Sequence, residues 1–218
     1  MYSFLPDEIL KEILTPALQI SDASFACIGS NSPFSRYQQS TSAYLLVCKD
    51  WLRVATPLLY NVVILRSKAQ MQALERALKS TKELGGFIKK LRIESGHCAS
   101  LQHILKAAQN LTDLFLSFDI YSQDTVLGLC KGLQHIQPRR AIFYLSESYG
   151  GFNQKNEQVT SALATLMPKW TKLTKVVVSI GYLGTHSEVT SSMLDCVSYS
   201  NDFSKYQASR RLYSKGIV

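Results

Sequence analysis

From residue 66 onward the chain alternates two kinds of apolar spacing, and that alternation restricts its fold more than any other feature. Met71, Leu74 and Leu78 recur at helical spacing, then Leu91 and Ile93 recur at strand spacing. Leu101, Ile104, Leu105 and Ala108 precede Leu114 and Leu116 in the same way. Val126, Leu129, Cys130 and Leu133 precede Ile142 and Tyr144, and Val159, Leu163 and Leu166 precede Val176, Val178 and Ile180. A single helix and strand cannot bury their apolar sides alone. Stacked units can, with a parallel sheet on one side and helices on the other. The intervals from Leu91 to Leu114, Ile142 and Val176 lengthen along the chain, so the units are unequal. An ordinary open α/β sheet is the competing architecture. Gly85-Gly86 and Gly150-Gly151 read as turns between elements, where glycine supplies positive φ.

The first sixty residues follow a different pattern. Pro6 suits the first turn of a helix, and Asp7 and Glu8 complement its dipole. Ile9, Leu10, Ile13 and Leu14 then form one broad apolar face, and Pro16 ends or bends the helix. Residues 19–42 are rich in serine and read as an exposed, flexible insertion. Thr41 or Ser42 caps a second helix over about 43–55, with Leu45, Leu46, Cys48, Trp51, Leu52 and Ala55 as its stripe; Pro57 stops it. Leu58-Leu59-Tyr60 leads into Val62-Val63-Ile64-Leu65, a β-branched run expected to be a buried strand. So much apolar surface exceeds what a small helical pair can hide, and it marks a partner interface. The division is therefore a helical module at 1–60, a repeat region at 61–184 and an irregular tail at 185–218, the tail rich in Ser and Tyr with Arg210, Arg211 and Lys215.

Leu5-Pro6-Asp7-Glu8-Ile9-Leu10 followed by Leu46-Val47-Cys48-Lys49-Asp50-Trp51 resembles an F-box, with a longer connection than most F-boxes have. Leu111-x-x-Leu114-x-Leu116 and Leu173-x-x-Val176-x-Val178 resemble the core of a leucine-rich repeat, without the Asn or Cys which that family places after the strand. The resemblance implies an α/β chain: an F-box module, then a short leucine-rich-repeat-like solenoid with a parallel sheet. It implies docking on a Skp-family adaptor and, through it, a cullin, with an unknown protein substrate on the repeats. Carried over by position, the adaptor-binding residues are Leu5, Pro6, Ile9, Leu10, Ile13, Leu14, Leu46, Val47, Cys48, Trp51 and Leu58. Trp51 is the strongest anchor candidate, since tryptophans dominate truncation costs at interfaces. Its competing role is to cover the first strand internally. The substrate-binding residues are not implied.

Composition excludes several other classes. Of 218 residues, 46 % are hydrophobic and 18 % charged, enough for a sizeable core. The net charge is +8, yet residues 1–48 hold Lys11 and Arg36 against Asp7, Glu8, Glu12 and Asp22, so the basic excess lies in the rest. Cys27, Cys48, Cys98, Cys130 and Cys196 are odd in number and widely spaced, as expected of reduced thiols in the cytosol or nucleus, most of them core packers. No signal peptide or membrane span is expected, as no apolar run reaches the ~18–20 residues a span requires.

Nucleophile-elbow, phosphate-loop, dinucleotide and zinc-protease motifs are missing, so the chain reads as no enzyme, with no cofactor. Glu94, His97, Cys98 and His103 lie near one another in sequence but lack a second ligand pair, so they read as a polar loop and not a metal site. His135 and His186 are isolated. Arg66, Lys68, Arg76, Lys79, Lys82, Lys89, Lys90 and Arg92 form a basic stretch, opposed by Glu75 and Glu83. They read as a solvated face or as a docking face for an acidic or phosphorylated target. A basic nucleic-acid-binding or general protein-interaction module is the alternative function; nucleic acid is the weaker partner, because aromatics do not interleave with the charges.

Overall fold

The computed structural model describes residues 5–28, 32–35, 41–145, 153–180 and 206–208. Its elements in chain order are α1 (Asp7–Leu18), α2 (Asp22–Phe25), a 3₁₀ turn (Thr41–Leu46), α3 (Lys49–Asn61), β1 (Val62–Leu65), α4 (Lys68–Ser80), α5 (Leu84–Phe87) and β2 (Lys90–Ile93). There follow α6 (Ser100–Ala107), β3 (Asp113–Ser117), α7 (Leu127–Leu133), β4 (Arg140–Leu145), α8 (Gln154–Leu166), a 3₁₀ turn (Met167–Lys169), β5 (Lys175–Ile180) and β6 (Tyr206–Ala208). The strands form one sheet in sequential order, β1 to β6, and every neighbouring pair is parallel. The protein is mixed α/β with a parallel sheet. β6 comes from a stretch where the sequence offers no strand pattern, and it pairs Val176 with Tyr206 through Val178 with Ala208.

Parallel strands need crossovers, and α4, α6, α7 and α8 supply them between successive strands. Met71, Leu78, Leu101, Ile104, Leu105, Leu129, Leu133, Val159 and Leu163 are buried and meet Leu91, Ile93, Leu114, Leu116, Ala141, Phe143, Val176 and Val178 from the sheet. The helical spacing read from sequence is thus the face that packs. In β4 the reading is displaced by one residue. Leu114 pairs with Ala141 and Leu116 with Phe143, so Ile142 and Tyr144 belong to the opposite side of the sheet. Strand side chains alternate, so a shift of one residue exchanges the two sides completely.

Each unit is also tied to the one before it at the strand entrance. The Lys89 carbonyl accepts from the Thr112 and Asp113 amides, and the Thr112 carbonyl accepts from Arg139 and Arg140. The Arg139 carbonyl then accepts from Thr174 and Lys175. Thr112 and Thr174 repeat the contact with their hydroxyls, which donate to the Lys89 and Arg139 carbonyls at 3.0 Å. These two threonines occupy matching places in the Leu111-x-x-Leu114 and Leu173-x-x-Val176 segments.

Further expectations are corrected. Pro57 does not stop its helix: α3 runs to Asn61, and α1 likewise runs past Pro16 to Leu18. In both cases the preceding threonine donates its hydroxyl to the carbonyl four residues back, Thr15 to Lys11 and Thr56 to Leu52, each at 2.6 Å. The second helix does not begin at Thr41 or Ser42. A 3₁₀ turn ends at Leu46, Cys48 is extended, and the α-helix starts at Lys49. Among the described cysteines Cys98 is buried in the core and Cys130 packs against it half-buried, as expected, whereas Cys27 and Cys48 are exposed; Cys196 lies outside the described residues. Gly85 serves close packing and not positive φ, because an added Cβ would sit 2.5 Å from the Ala107 carbonyl oxygen. Gly150-Gly151, His186 and the basic residues of the tail lie outside the described residues.

Candidate functional site

Two surfaces concentrate the distinctive chemistry. The first is the N-terminal helical pair. Leu10, Leu14 and Leu18 on α1 pack with Ala55 of α3, and Tyr44, Leu45, Trp51, Val54, Leu58 and Leu59 close the small core. Arg53 of α3 clamps the start of α1 with both guanidinium nitrogens on the Asp7 carboxylate, and it also donates to Asp50 at 3.0 Å. Leu5, Ile9 and Ile13, spaced one turn apart, are 55 %, 43 % and 54 % exposed. Leu46 and Val47 project at the bend before α3, at 86 % and 59 %. Leu52, absent from the expected set, is exposed as well.

The expected adaptor-binding residues therefore divide. Leu5, Pro6, Ile9, Ile13, Leu46, Val47 and Cys48 face solvent. Leu10 and Leu14 are corrected from surface to core: at 2 % and 1 % exposure they hold α1 against α3 and offer no contact area. Trp51 and Leu58 are half-buried, and Trp51 stacks on Tyr44 with ring centroids 6.0 Å apart.

The second surface is the side of the sheet away from the helices. Here the expected exposed insertion is corrected in part: Ser21, Asp22, Ala23 and Cys27 are exposed, but Phe25 and Phe34 are buried. Ser21 caps α2, accepting from the Ser24 amide at 3.0 Å, and the turn lays Phe25 on the sheet with no exposure. Phe25 packs with Val62, Phe115 and Ile142, flanked by Ile20, Ala26, Ile28, Ile64, Tyr144 and Val177. Its ring meets Phe115 edge-on at 6.5 Å, with the Lys90 ammonium and the Arg140 guanidinium 5.7 and 5.8 Å from its centre. The apolar residues Ile20, Phe25, Ile28 and Phe34 amid serines, with a Ser-Asp helix start, were the legible signal.

Charge complements this packing. Asp22 pairs with Lys90 at 2.6 Å and with Arg140. The hydrogen bonds from Arg140 and then Lys90 hold its carboxyl well below the usual carboxylate range. Arg92 is buried; it donates to the carbonyls of Phe25 (2.6 Å) and Cys27 (2.9 Å) and to Glu94 (2.6 Å). Its guanidinium lies 3.7 Å from the centre of the Phe115 ring. Burial lowers its pKa, and the bond to Glu94 opposes that shift. Glu94 also accepts from Arg66 at 3.1 Å and Ser32 at 2.7 Å, and Arg66 donates to the Phe34 carbonyl at 2.8 Å.

The residues considered as metal ligands do not converge. Glu94 belongs to the arginine network, Cys98 turns to the Met71 sulfur at 3.7 Å, and His97 is buried 3.9 Å from Asp124. Among the described residues no three His, Cys, Asp or Glu side chains gather to hold a metal. The basic stretch divides too. Arg66, Lys90 and Arg92 grip the N-terminal segment, while Lys79 pairs with Glu75 on α4. Among the described residues no helix is long and apolar enough to cross a membrane. Compared with protein families, with curated proteins and with solved structures, the chain matches none.

Proposed function

We propose that this chain is a non-catalytic receptor subunit of a ubiquitin ligase. The helical pair acts as an F-box and docks on a Skp-family adaptor, which links it to a cullin. The strand–helix units, a short leucine-rich-repeat-like solenoid, hold a protein substrate, and the complex works in the cytosol or nucleus. One observation carries this reading: α1 buries Leu10, Leu14 and Leu18 against α3, yet leaves Ile9 and Ile13 as a second apolar stripe in water, with Leu5 exposed just before the helix. A helix with one apolar stripe already satisfied and another open fits a partner's groove. Leu46 and Val47 add aliphatic contacts at the bend before α3. The chain would then act by proximity, raising the local concentration of a target lysine near a charged enzyme.

The test is capture of a Skp-family adaptor by the full chain and by Ile13→Asp and Leu46→Asp. These exposed positions can change without opening the core. Both variants are expected to melt as the parent does and to lose the adaptor. Undiminished capture by both removes the reading.

A further inference from the structure

We propose that residues 20–28 are an internal ligand of the sheet, and that the same pocket accepts a partner peptide carrying an acidic residue three positions before an aromatic one. The proposal does not rest on the adaptor reading, since it concerns only the side of the sheet away from the helices.

The two sides of the sheet are built differently. The helix side is closed by a continuous apolar cluster that runs from Leu65 to Val178 and, among the described residues, includes none of the N-terminal segment. The other side presents Lys90, Arg92 and Arg140 around Phe115, Ile142 and Tyr144. Arg92 is buried and Lys90 and Arg140 are partly so; cations withdrawn from water are a poor way to stabilise a sheet, because desolvation offsets most of the attraction. They are a good way to recognise a ligand of defined charge and shape.

The segment satisfies these cations point by point. The Asp22 carboxylate takes Lys90 and Arg140. Phe25, one turn later, fills the aromatic slot against Phe115. The carbonyls of Phe25 and Cys27 take both bonds from one Arg92 nitrogen. The contact thus specifies a carboxylate, an aromatic ring at the third following position and an accepting backbone beyond it. It uses a four-residue helix with a local serine cap, so all of these contacts come from one short stretch of sequence that a peptide can carry. The Asp22 side chain is 55 % exposed while Phe25 is enclosed, so the ionic end is open to exchange and the aromatic end sets the affinity. A covalently attached segment competes at high effective concentration, and a partner binds in proportion to the fraction of chains in which it has lifted away.

The test uses a fluorescein-labelled peptide of residues 19–28 carrying Cys27→Ser, titrated by anisotropy with the full chain. The Phe25→Ala chain is expected to bind it at least tenfold more tightly than the unmodified chain. That affinity should fall at least tenfold when the peptide itself carries Phe25→Ala or when the chain also carries Arg140→Glu, and about threefold to fivefold when the peptide carries Asp22→Asn, whose ion pair is screened by solvent. A folded Phe25→Ala chain that binds no better than the unmodified one overturns the proposal, as does equal binding of the intact and Phe25→Ala peptides. Hydrogen exchange on the unmodified chain keeps the test standing if Phe25→Ala does not fold. The Phe25 and Ala26 amides should exchange by local opening, faster than Leu114 and Leu116; exchange of all four only through global unfolding makes the segment a permanent part of the core and overturns the proposal. Either failure leaves adaptor capture unaffected, so the two readings fail separately.

Discussion

Asp22 and Arg140 stand 118 positions apart in the sequence and are joined by two hydrogen bonds, with guanidinium nitrogens 2.9 and 2.5 Å from the two carboxylate oxygens. Arg140 also bonds Asp113 of β3, and Lys90 of β2 reaches the same Asp22 oxygen. One carboxylate before the helical pair is complete therefore ties the second and fourth strands to the N-terminal segment. Strand order, helix cap and charge placement all converge on it.

The bond has a pH signature. A carboxyl whose folded pKa is depressed contributes stability above its unfolded value, and that contribution is lost as pH falls through the folded value. For Asp22 the loss begins below about pH 4. The side chain is more than half exposed, so solvent screens the pair and Asp22→Asn costs at most about 1 kcal/mol at pH 7. Urea denaturation at pH 7 and pH 3 checks this: the gap between parent and variant should shrink at the lower pH.

Arg92 is the more expensive residue to alter. It serves two carbonyls, Glu94 and the face of Phe115 at once. Arg92→Ala leaves Glu94 and both carbonyls short of a partner and should cost about 3–5 kcal/mol. Arg92→Lys keeps the charge but not the planar fork, and should recover less than half of that loss. Equal denaturation midpoints for parent and Arg92→Ala would contradict this account.

The sequence shows the helix-side packing well and the other side of the sheet poorly, for a physical reason. The positions Leu101, Ile104 and Leu105, or Leu91 and Ile93, repeat at fixed periods because regular elements stack on regular elements. Ile20, Phe25 and Phe34 follow no period, because a short irregular segment crosses the strands, and the serines around them resemble a solvated loop. The same blindness hid the roles of Lys90, Arg92 and Arg140, which read as part of a basic surface until their partners across the fold are seen. On α1, Ile9, Leu10, Ile13 and Leu14 form one broad apolar face in the sequence. Only the position of α3 divides it into a buried stripe and an exposed one.

His97 gives a second and separate pH effect. It is buried beside Asp124, both ring nitrogens lack a hydrogen-bond partner, and burial pulls its pKa down to about 4. Between pH 6.5 and 4 the unfolded chain binds a proton that the folded chain refuses, so stability falls as pH falls across that window. The full loss is about 3 kcal/mol. Denaturation midpoints at pH 7 and 4.5 should differ in the parent and differ much less in His97→Phe.

Gly128 and Gly86 make a matched pair. A Cβ on Gly128 would lie 2.7 Å from the Cys98 carbonyl oxygen and from Ala99 backbone atoms, which cannot rotate away. Gly128→Ala must push α7 off the turn before α6, at about 1–3 kcal/mol. A Cβ on Gly86 meets only the Asn110 amide nitrogen at 3.7 Å. Gly86→Ala should be neutral or stabilising by about 0.5 kcal/mol, because alanine restricts the unfolded chain. Thermal melts of the two variants should move in opposite directions, or only the first should move.

Leu10 and Ile13 separate stability from docking on one helix. Leu10 is 2 % exposed and fills the space between α1 and α3, so Leu10→Ala opens a cavity and costs about 2–4 kcal/mol. Ile13 is 54 % exposed and touches water, so Ile13→Ala should stay within about 0.5 kcal/mol of the parent. Adaptor capture should rank the other way for a direct contact. Ile13→Ala removes an aliphatic anchor from the surface that meets the partner, while Leu10→Ala weakens capture only as far as α1 loosens. Lowering the temperature should therefore restore capture by Leu10→Ala and leave Ile13→Ala defective. If both variants recover together on cooling, Ile13 acts through the fold of α1, and the exposed stripe is not where the partner binds.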